Sequence, residues 1–456
     1  MKKTLLLSVV ASTMIMAGGD IAPVEPVIEA PVAETSGWQF TADIKAIYQT
    51  TDLELYAGEL GETGLFESGN QEVVGVSPYG GASAGGISGR IGGTAQLLSN
   101  VRASVQGQFY SSLGLGGDLF NDNMINAPFN STGFTPDFSG RLNEAANLSQ
   151  IWIEGTFGNT IAKIGRMELN TPLLSTEKWN LAYNTFEALT LTNTDLPETT
   201  LVAAFVTRHN GHGGGAGEGG GLLAGSPGRT VNMNDFTNRE DDGLFFMGAV
   251  NKSLENTTLQ AWYYNMMDKE VAGQTDAYWF QADTKVMDMF TLGGQYAGMT
   301  PDNFDNSNIW ALKAGADVLG MNVYAAYSSA DDDGHFGFAN LSTADKTNIY
   351  TGLASIYFDG VLTAPGVDAY KIGGSGSVAG VKLAAAYINA EDTFGKTIDG
   401  LDFSAKTSIG PVGLTAIYTT ILTNDQDNTA TPAVVGQPFY LGREIDTLRL
   451  VASYKF

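Results

Sequence analysis

The last thirteen residues, Glu-Ile-Asp-Thr-Leu-Arg-Leu-Val-Ala-Ser-Tyr-Lys-Phe at 444–456, decide the fold. Counted back from the end, every second residue is apolar: Phe456, Tyr454, Ala452, Leu450 and Leu448. The residues between them are mostly polar. A period of two predicts a β-strand with one apolar and one polar face. The stretch also has about the length that a tilted strand needs to cross a lipid bilayer.

The same alternation recurs through the chain in pairs of segments joined by very short turns. The predicted pairs are 85–98 with 101–113, 146–157 with 160–167, 182–194 with 198–209, 242–250 with 257–267, 275–286 with 289–299, 307–318 with 321–329, 367–378 with 381–390, and 400–409 with 412–422. A first strand at 38–48 and a last at 445–456 bring the number to about 18. The apolar segment 348–358 would make the number odd, so it is assigned to a structured seventh loop.

Short turns on one side and long loops rich in Gly, Asn and Asp on the other are typical of a transmembrane β-barrel. Aromatic residues of the apolar faces also gather near both strand ends, as in Tyr48, Trp310 and Tyr418 on one side and Trp38 and Phe290 on the other. A soluble sandwich has no reason for such bands. The predicted fold class is therefore all-β, a transmembrane antiparallel barrel of about 18 strands. A barrel of that size is too wide for side chains to fill, so it holds a channel.

The amino-terminal region is predicted to be processed and extended. Two lysines, a short apolar run and small residues make 1–19 a secretory signal peptide. Residues 20–36, with three prolines and three glutamates, are predicted to form a periplasmic linker. The barrel would then occupy 37–456.

The composition excludes several classes of function. The chain has no Cys, so it has neither a disulfide framework nor a thiolate site. Its 24 Lys and Arg face 49 Asp and Glu, a formal net charge of -25, which argues against nucleic-acid binding. The same acidic balance leads to the expectation of a mild preference for cations.

The polar faces of the predicted strands carry charged side chains near mid-strand. Basic residues alternate there with acids: Lys45, Lys285, Lys313, Lys371, Lys406 and Arg449 with Asp43, Asp283, Asp317 and Asp402. Charges in a packed interior would each need a partner, whereas charges around an aqueous lumen need only water. They are therefore predicted to line the channel, either as ordinary solvated residues or as part of a selective site.

The predicted third loop, at about 168–181, is unusually apolar for a loop exposed to water. It contains Leu169, Leu173, Leu174 and Trp179. Folding back into the lumen would bury these side chains and narrow the channel. It would also place three charged residues in the pore: Glu168, Glu177 and Lys178. Opposite a basic wall at Lys313, Lys371 and Arg449, the acids would set a transverse field that favours polar over apolar solutes.

Residues 163–172, Lys-Ile-Gly-Arg-Met-Glu-Leu-Asn-Thr-Pro, and 183–191, Tyr-Asn-Thr-Phe-Glu-Ala-Leu-Thr-Leu, resemble the strand, third loop and strand of OprD-like outer-membrane porins. That family includes the major porins of epsilon-type proteobacteria. The resemblance implies a barrel of about 18 strands, often trimeric, with the third loop at its constriction. Family members take up small polar solutes, some of them carboxylates or basic amino acids, along a ladder of arginines. Arg166 matches near the motif, but the other inward basic residues are mostly lysines, which lack the bidentate fork of arginine.

Two other kinds of chemistry are weaker candidates. The acidic stretches 302–305 and 331–333 could bind Ca²⁺ and bridge to lipopolysaccharide or to another subunit, or be merely solvated. The histidines His209, His212 and His335 lie in or beside loops, so a hydrolase site such as His335 with an acid of 331–333 is conceivable. A structural or adhesive surface barrel is the third class.

The sequence thus predicts an outer-membrane porin of a Gram-negative bacterium, not an enzyme, with no cofactor. It would pass small polar solutes and ions, and its expected partners are outer-membrane lipid, lipopolysaccharide and further copies in a homotrimer. The residues predicted at its constriction are Asp43, Lys45, Arg166, Glu168, Glu177, Lys178, Lys313, Lys371, Lys406 and Arg449.

Overall fold

The computed structural model describes residues 37–55, 83–115, 144–210, 237–238, 243–267, 273–343, 346–353, 361–393, 395, 397–424 and 443–455. The predicted signal peptide 1–19 and linker 20–36 lie outside this part of the chain. The strands are β1 Trp38–Leu55, β2 Ser83–Leu98, β3 Val101–Ser111, β4 Glu144–Phe157, β5 Thr160–Met167, β6 Phe186–Asn193, β7 Thr199–His209, β8 Thr237–Asn238, β9 Leu244–Asn251, β10 Thr257–Met267, β11 Gln274–Val286, β12 Phe290–Pro301, β13 Ser307–Val318, β14 Met321–Ala330, β15 Asp368–Val378, β16 Val381–Glu391, β17 Thr397–Ile409, β18 Val412–Asn424 and β19 Arg443–Lys455.

All these strands belong to one antiparallel sheet that closes on itself. β1 pairs with β19 from Asp43 opposite Lys455 to Leu55 opposite Arg443, and with β2 on its other side. The two-residue β8 pairs with the end of β7, and β9 pairs with the rest of β7, so β8 and β9 form one interrupted strand of the wall. The wall is therefore an 18-strand antiparallel barrel, as the alternation predicted.

Helix is almost absent from the described residues, which contain one 3₁₀ turn at Val361–Thr363. None of their helices is long and apolar enough to cross a membrane.

Very short turns join the strands at one end of the barrel. At the β13–β14 turn, Leu319 and Gly320 both have positive φ, of 53° and 78°. Two central residues with positive φ make a type I′ turn, whose twist matches that of the flanking strands. The predicted hairpin turns therefore lie where the alternation placed them.

Two predicted strand boundaries differ from the structure by four residues or more. β1 continues to Leu55 rather than ending at Tyr48. β6 begins at Phe186 rather than at 182, because the amides of Tyr183 and Thr185 donate to side chains rather than to the backbone of a neighbouring strand. The Thr185 amide, for example, donates to Asn210 Oδ1 at 2.6 Å. Within 348–358, the described residues 348–353 contain no strand and lie in the seventh loop, as predicted.

The two faces of the wall differ in the way that the alternation predicted. Apolar side chains are exposed on the outward face, among them Trp38, Phe40, Phe290, Leu312, Trp310, Tyr327, Tyr370, Phe403 and Tyr418. On the inner face, one large apolar cluster joins strands β4–β14 to Leu173, Leu174, Phe338, Leu341 and Ile349 of two loops. The core of the protein thus lies between the inner face of the wall and these loops.

Candidate functional site

The third loop, residues 168–185 between β5 and β6, contacts inner-face side chains of β1 and β19. Lys45 Nζ on β1 donates to the carbonyl oxygens of Lys178 at 2.6 Å and Asn180 at 3.0 Å. Arg449 on β19 donates from Nη1 to the Trp179 carbonyl oxygen at 3.0 Å and from Nε to Gln49 Oε1 at 2.7 Å. Both cations are buried. A buried ammonium or guanidinium needs such acceptors, and backbone carbonyls of the loop supply them.

Arg90 on β2 joins loop 3 to the same part of the wall. It forms a bidentate pair with Asp43, at 3.0 Å from Nε and 2.6 Å from Nη2, and donates from Nη1 to Glu168 Oε1 at 3.0 Å. Glu168 also accepts from Lys178. Burial raises the pKa of the Glu168 carboxyl, but Lys178 and Arg90 outweigh burial and hold the pKa below its usual value. Glu168 is therefore an anion between two cations.

Aromatic rings of loop 3 cover the cations of the wall. The Tyr183 ring contacts two of these cations. Its centroid is 4.2 Å from Lys45 Nζ and 3.9 Å from Arg90 Cζ. Arg449 Cζ is 5.1 Å from the Trp179 ring. Such contacts attract a cation to the ring face and keep water from it.

Loop 3 is also bonded to the seventh loop, residues 331–367 between β14 and β15. Glu177 Oε1 accepts from Asn340 Nδ2 at 2.8 Å and from Thr343 Oγ1 at 2.5 Å, and its Oε2 accepts from Trp179 Nε1 at 2.7 Å. The Leu341 amide donates to the Leu173 carbonyl oxygen at 2.8 Å. The carboxylate of Glu177 therefore belongs to the contact between the two loops.

Two further predicted lysines contact loop 7. Lys313 Nζ donates to Asp283 Oδ1 at 3.0 Å and lies 4.0 Å from the centre of the Tyr350 ring. The Tyr350 hydroxyl donates to the same Asp283 oxygen at 2.9 Å. Lys371 Nζ donates to the Gly352 carbonyl oxygen at 2.5 Å. Four predicted cations, Lys45, Lys313, Lys371 and Arg449, are thus buried against loops rather than only solvated.

A different set of inner charges lies nearer the short turns. Lys406 is half-buried on β17 and stands opposite Lys382 on β16. On the other side of the barrel, Glu154 accepts from Arg102 at 2.6 Å and Lys163 at 3.1 Å. These groups lie on the inner face, below the level that loops 3 and 7 contact.

Arg166 does not join the other predicted site residues. It is the register partner of Ile151 and of Glu187, and Ile151 is exposed on the outward face. Register partners in an antiparallel sheet share a face. Arg166 therefore lies on the outside of the barrel, where it donates to Glu187 Oε1 at 2.8 Å and to the Leu148 carbonyl oxygen at 2.6 Å. The prediction for this residue is corrected accordingly.

Sequence reasoning missed Arg90, Tyr183 and Tyr350. The alternation of β2 does place Arg90 on the polar face, so that signal was present. The tyrosines sit in loops, where no periodicity shows which strand a ring will contact.

The candidate metal and hydrolase residues do not form such sites among the described residues. No group of three or more metal-ligating side chains is found there. His335 stacks on Phe304 with ring centroids 3.9 Å apart, while Asp331 accepts from Asn308 at 2.9 Å. These contacts do not build a His–Asp pair. His212 of the fourth loop lies outside the described residues.

The comparisons with known proteins find likeness in structure. No family model matches the sequence, and no curated protein matches it. The solved structure of OccK8 (OprE) from Pseudomonas aeruginosa is 14% identical, with a TM-score of 0.62 over 92% of this chain and 98% of that one. OccAB4 of Acinetobacter baumannii is 10% identical, with a TM-score of 0.64 over 94% and 100%. OpdK of Pseudomonas aeruginosa, solved with vanillate, is 13% identical, with a TM-score of 0.61 over 91% and 98%. The chain shares the fold of these proteins along nearly its whole length.

Proposed function

We propose that the protein is a porin of the Gram-negative outer membrane, which passes small polar solutes by passive diffusion. The observation that carries this proposal is the combination of faces on one closed wall: exposed apolar side chains outside and charged side chains inside. A closed barrel satisfies every backbone group in lipid, and 18 strands enclose more space than their own inner side chains fill. The shared fold with OccK8, OccAB4 and OpdK agrees with it.

Loop 3 is proposed to lie across the lumen and narrow it. It leaves the wall between β5 and β6, yet it bonds to Lys45 and Arg449 on β1 and β19. On another side, its Leu173 amide donates to the Tyr264 hydroxyl on β10 at 3.3 Å. A short segment that leaves the wall between β5 and β6 and contacts distant strands in both directions around the barrel must pass through the space that the strands enclose. Loop 7, bonded to loop 3, narrows the same level.

The charges on the inner face favour anions. Basic side chains outnumber carboxylates there among the described strands: Lys45, Arg90, Arg102, Lys163, Lys285, Lys313, Lys371, Lys382, Lys406, Arg449 and Lys455 against Asp43, Glu154, Asp283, Asp317 and Asp402. A solute inside the pore meets this local field rather than the net charge of the whole chain. We therefore propose a weak preference for anions, in place of the cation preference expected from composition. Vanillate, with which OpdK was solved, is a carboxylate.

The proposed partners follow from the location. The outward face would contact outer-membrane lipid and lipopolysaccharide, and a homotrimer remains a proposal from the family resemblance. A structural or adhesive barrel is the competing proposal, since it would use the same wall without a conducting lumen.

A hydrolase is the less favoured alternative. The structure does bring a serine and a histidine together, because His209 Nδ1 lies 2.7 Å from Ser342 Oγ. Both residues are only 2% exposed, however, and Ser342 Oγ also accepts from Asn184. A nucleophile must be reachable by its substrate, so this pair is better explained as part of the contact between loops.

The test is conductance of the refolded chain in planar lipid bilayers. Stepwise openings and a reversal potential toward the anion in a salt gradient are expected. A barrel that inserts without conducting would favour the structural or adhesive alternative. Conduction with a preference for cations would support the porin proposal and contradict the proposed preference for anions. Swelling of liposomes in sugars, amino acids and carboxylates of graded size would then define the solutes.

A further inference from the structure

Three charged side chains form a cluster on the outward face of β5–β7. Arg166 pairs with Glu187, and Glu187 pairs with Arg208, in the register of the sheet. Arg166 Nη2 lies 2.8 Å from Glu187 Oε1, and Arg208 Nε lies 3.8 Å from Glu187 Oε2. One carboxylate thus stands between two guanidinium groups, and the cluster has a net positive charge.

The position of the cluster is at the long-loop end of the outward face. Loops 3 and 4 begin directly after Met167 and His209, the last residues of β5 and β7. Two residues further into the wall, Ile164 and Leu189 are 55% and 44% exposed. An apolar surface with charged residues just above it is the arrangement expected where hydrocarbon gives way to headgroups. The cluster therefore lies at headgroup height in the outer-membrane location proposed above, on which this inference rests.

Other described strands carry carboxylates at the same end of the outward face. On other strands, tyrosine hydroxyls at the same end of the wall donate to carboxylates: Tyr263 to Asp276 at 2.7 Å, Tyr387 to Asp399 at 2.5 Å and Tyr418 to Asp446 at 3.0 Å. Such carboxylates repel an anionic headgroup, whereas the arginines of β5–β7 attract it. Among the described strands, the arginines of β5–β7 are therefore the place on this rim that attracts an anionic lipid.

The chemistry of the cluster matches phosphate. A guanidinium presents a planar fork of donors that fits phosphate oxygens, and it is more weakly hydrated than an ammonium. The Arg208 side chain is 50% exposed, so it can be reached from outside the barrel. Glu187 forms an ion pair with each guanidinium group, and these three side chains together carry one positive charge.

We propose that Arg166 and Arg208, each paired with Glu187, bind a phosphate of an anionic glycolipid headgroup in the outer leaflet. The site lies outside the channel and is independent of the solute path. It would fix one lipid of lipid A type beside loops 3 and 4.

The experiment measures retention of diphosphorylated lipid A by the refolded full chain in detergent, using native mass spectrometry. We expect the double variant Arg166→Gln with Arg208→Gln to bind it about tenfold more weakly or worse, since both positive charges near the lipid phosphate are removed. The matched control, Lys252→Gln with Lys285→Gln, removes the same charge near the short turns and should bind as the wild type does. Equal binding by the arginine variant and the wild type would overturn the proposal.

Two further arms separate the possible sources of the anion. Fully dephosphorylated lipid A should bind weakly to the wild type, and equal binding would show that phosphate is not recognised. Inorganic phosphate at the concentration of the lipid should not displace it, and displacement would mean a free-anion site instead. If the double Gln variant does not refold, Arg166→Lys with Arg208→Lys keeps the charge without the fork. It should still weaken binding, and wild-type retention would overturn the proposal.

Single-channel conductance of the same samples distinguishes this inference from the proposed function. Lost lipid binding with unchanged conductance supports the lipid site beside a working porin. Specific lipid binding by a barrel that does not conduct would remove the porin proposal and leave the site.

Discussion

Loop 3 contacts two unlike parts of the barrel wall. On the side of β10 it is apolar, with Leu173 and Leu174 at 0% and 1% exposure in the largest buried cluster. On the side of β1, β2 and β19 it is polar, and its carbonyl oxygens and Glu168 accept from three cations of the wall. Apolar contacts stabilise without specifying direction, whereas charged hydrogen bonds fix position. We infer that the first side supplies most of the stability of the loop and the second sets the shape of the opening.

The largest expected effect is a loss of stability when the apolar side of loop 3 is changed. Leu173→Ala should lower the free energy of unfolding by about 2–5 kcal/mol, because it leaves a cavity in a fully buried cluster. Chemical unfolding of the barrel in detergent micelles measures this. Leu312→Ala is the matched control, since Leu312 is exposed on the outward face and its removal leaves no internal cavity. Similar losses in both variants would show that loop 3 is not packed as described.

On the charged side, Arg449→Ala should cost less stability, about 1–3 kcal/mol, through the acceptors that it leaves buried without a donor. The more specific result is a larger or noisier single-channel conductance, because the loop loses one of its contacts with β19. Lys313→Ala should act in the same way through loop 7 and Asp283. Folding should survive in both. Unchanged channels in both variants would remove these residues from the constriction.

The lysines nearer the short turns should affect charge selectivity instead. Lys382→Gln with Lys406→Gln removes two positive charges from the inner face near the short turns, away from the level of loops 3 and 7. The reversal potential should move toward cations, while conductance and unfolding change little. A bilayer measurement in a salt gradient checks this. If the double variant changes conductance more than selectivity, the distinction between cations that contact loops 3 and 7 and cations nearer the short turns is wrong.

The smallest expected effect is with pH. Because the pKa of Glu168 lies below its usual value, its ion pairs stabilise loop 3 at every pH above the ordinary glutamate pKa of about 4.3. That stabilisation is lost as the pH falls through the lowered value. Conductance should therefore be constant from pH 7 to about 5 and change only in stronger acid. Glu168→Gln should lack this acid transition, and a transition of the same size in the variant would assign it to another group.

Much of the wall could be predicted from the sequence, because alternation is a local signal. It located the strands and the inner faces on which Lys45 and Arg449 lie. It could not show that Lys45 bonds to Lys178, which lies 133 residues away. Contacts of that kind depend on how a loop folds inside a closed wall, and no period in the sequence records that.

Arg166 shows where a resemblance and the local pattern disagree. It lies two residues after the outward-facing Ile164, so alternation alone places it outside. The resemblance instead suggested the arginine ladder of the pore. Strand geometry is set by this chain's own backbone, and here the alternation was the better guide.

The seam between β1 and β19 joins segments from the two ends of the sequence, and Lys45 and Arg449 stand on either side of it. The two side chains that bind residues 178–180 are therefore brought together only when β19 pairs with β1. A barrel in which β1 and β19 are not yet paired would have two open strand edges, and its third loop would lack these contacts. Closure of the barrel and attachment of loop 3 would therefore occur together during assembly. A chain without β19 would be expected to have neither a closed wall nor an attached loop 3.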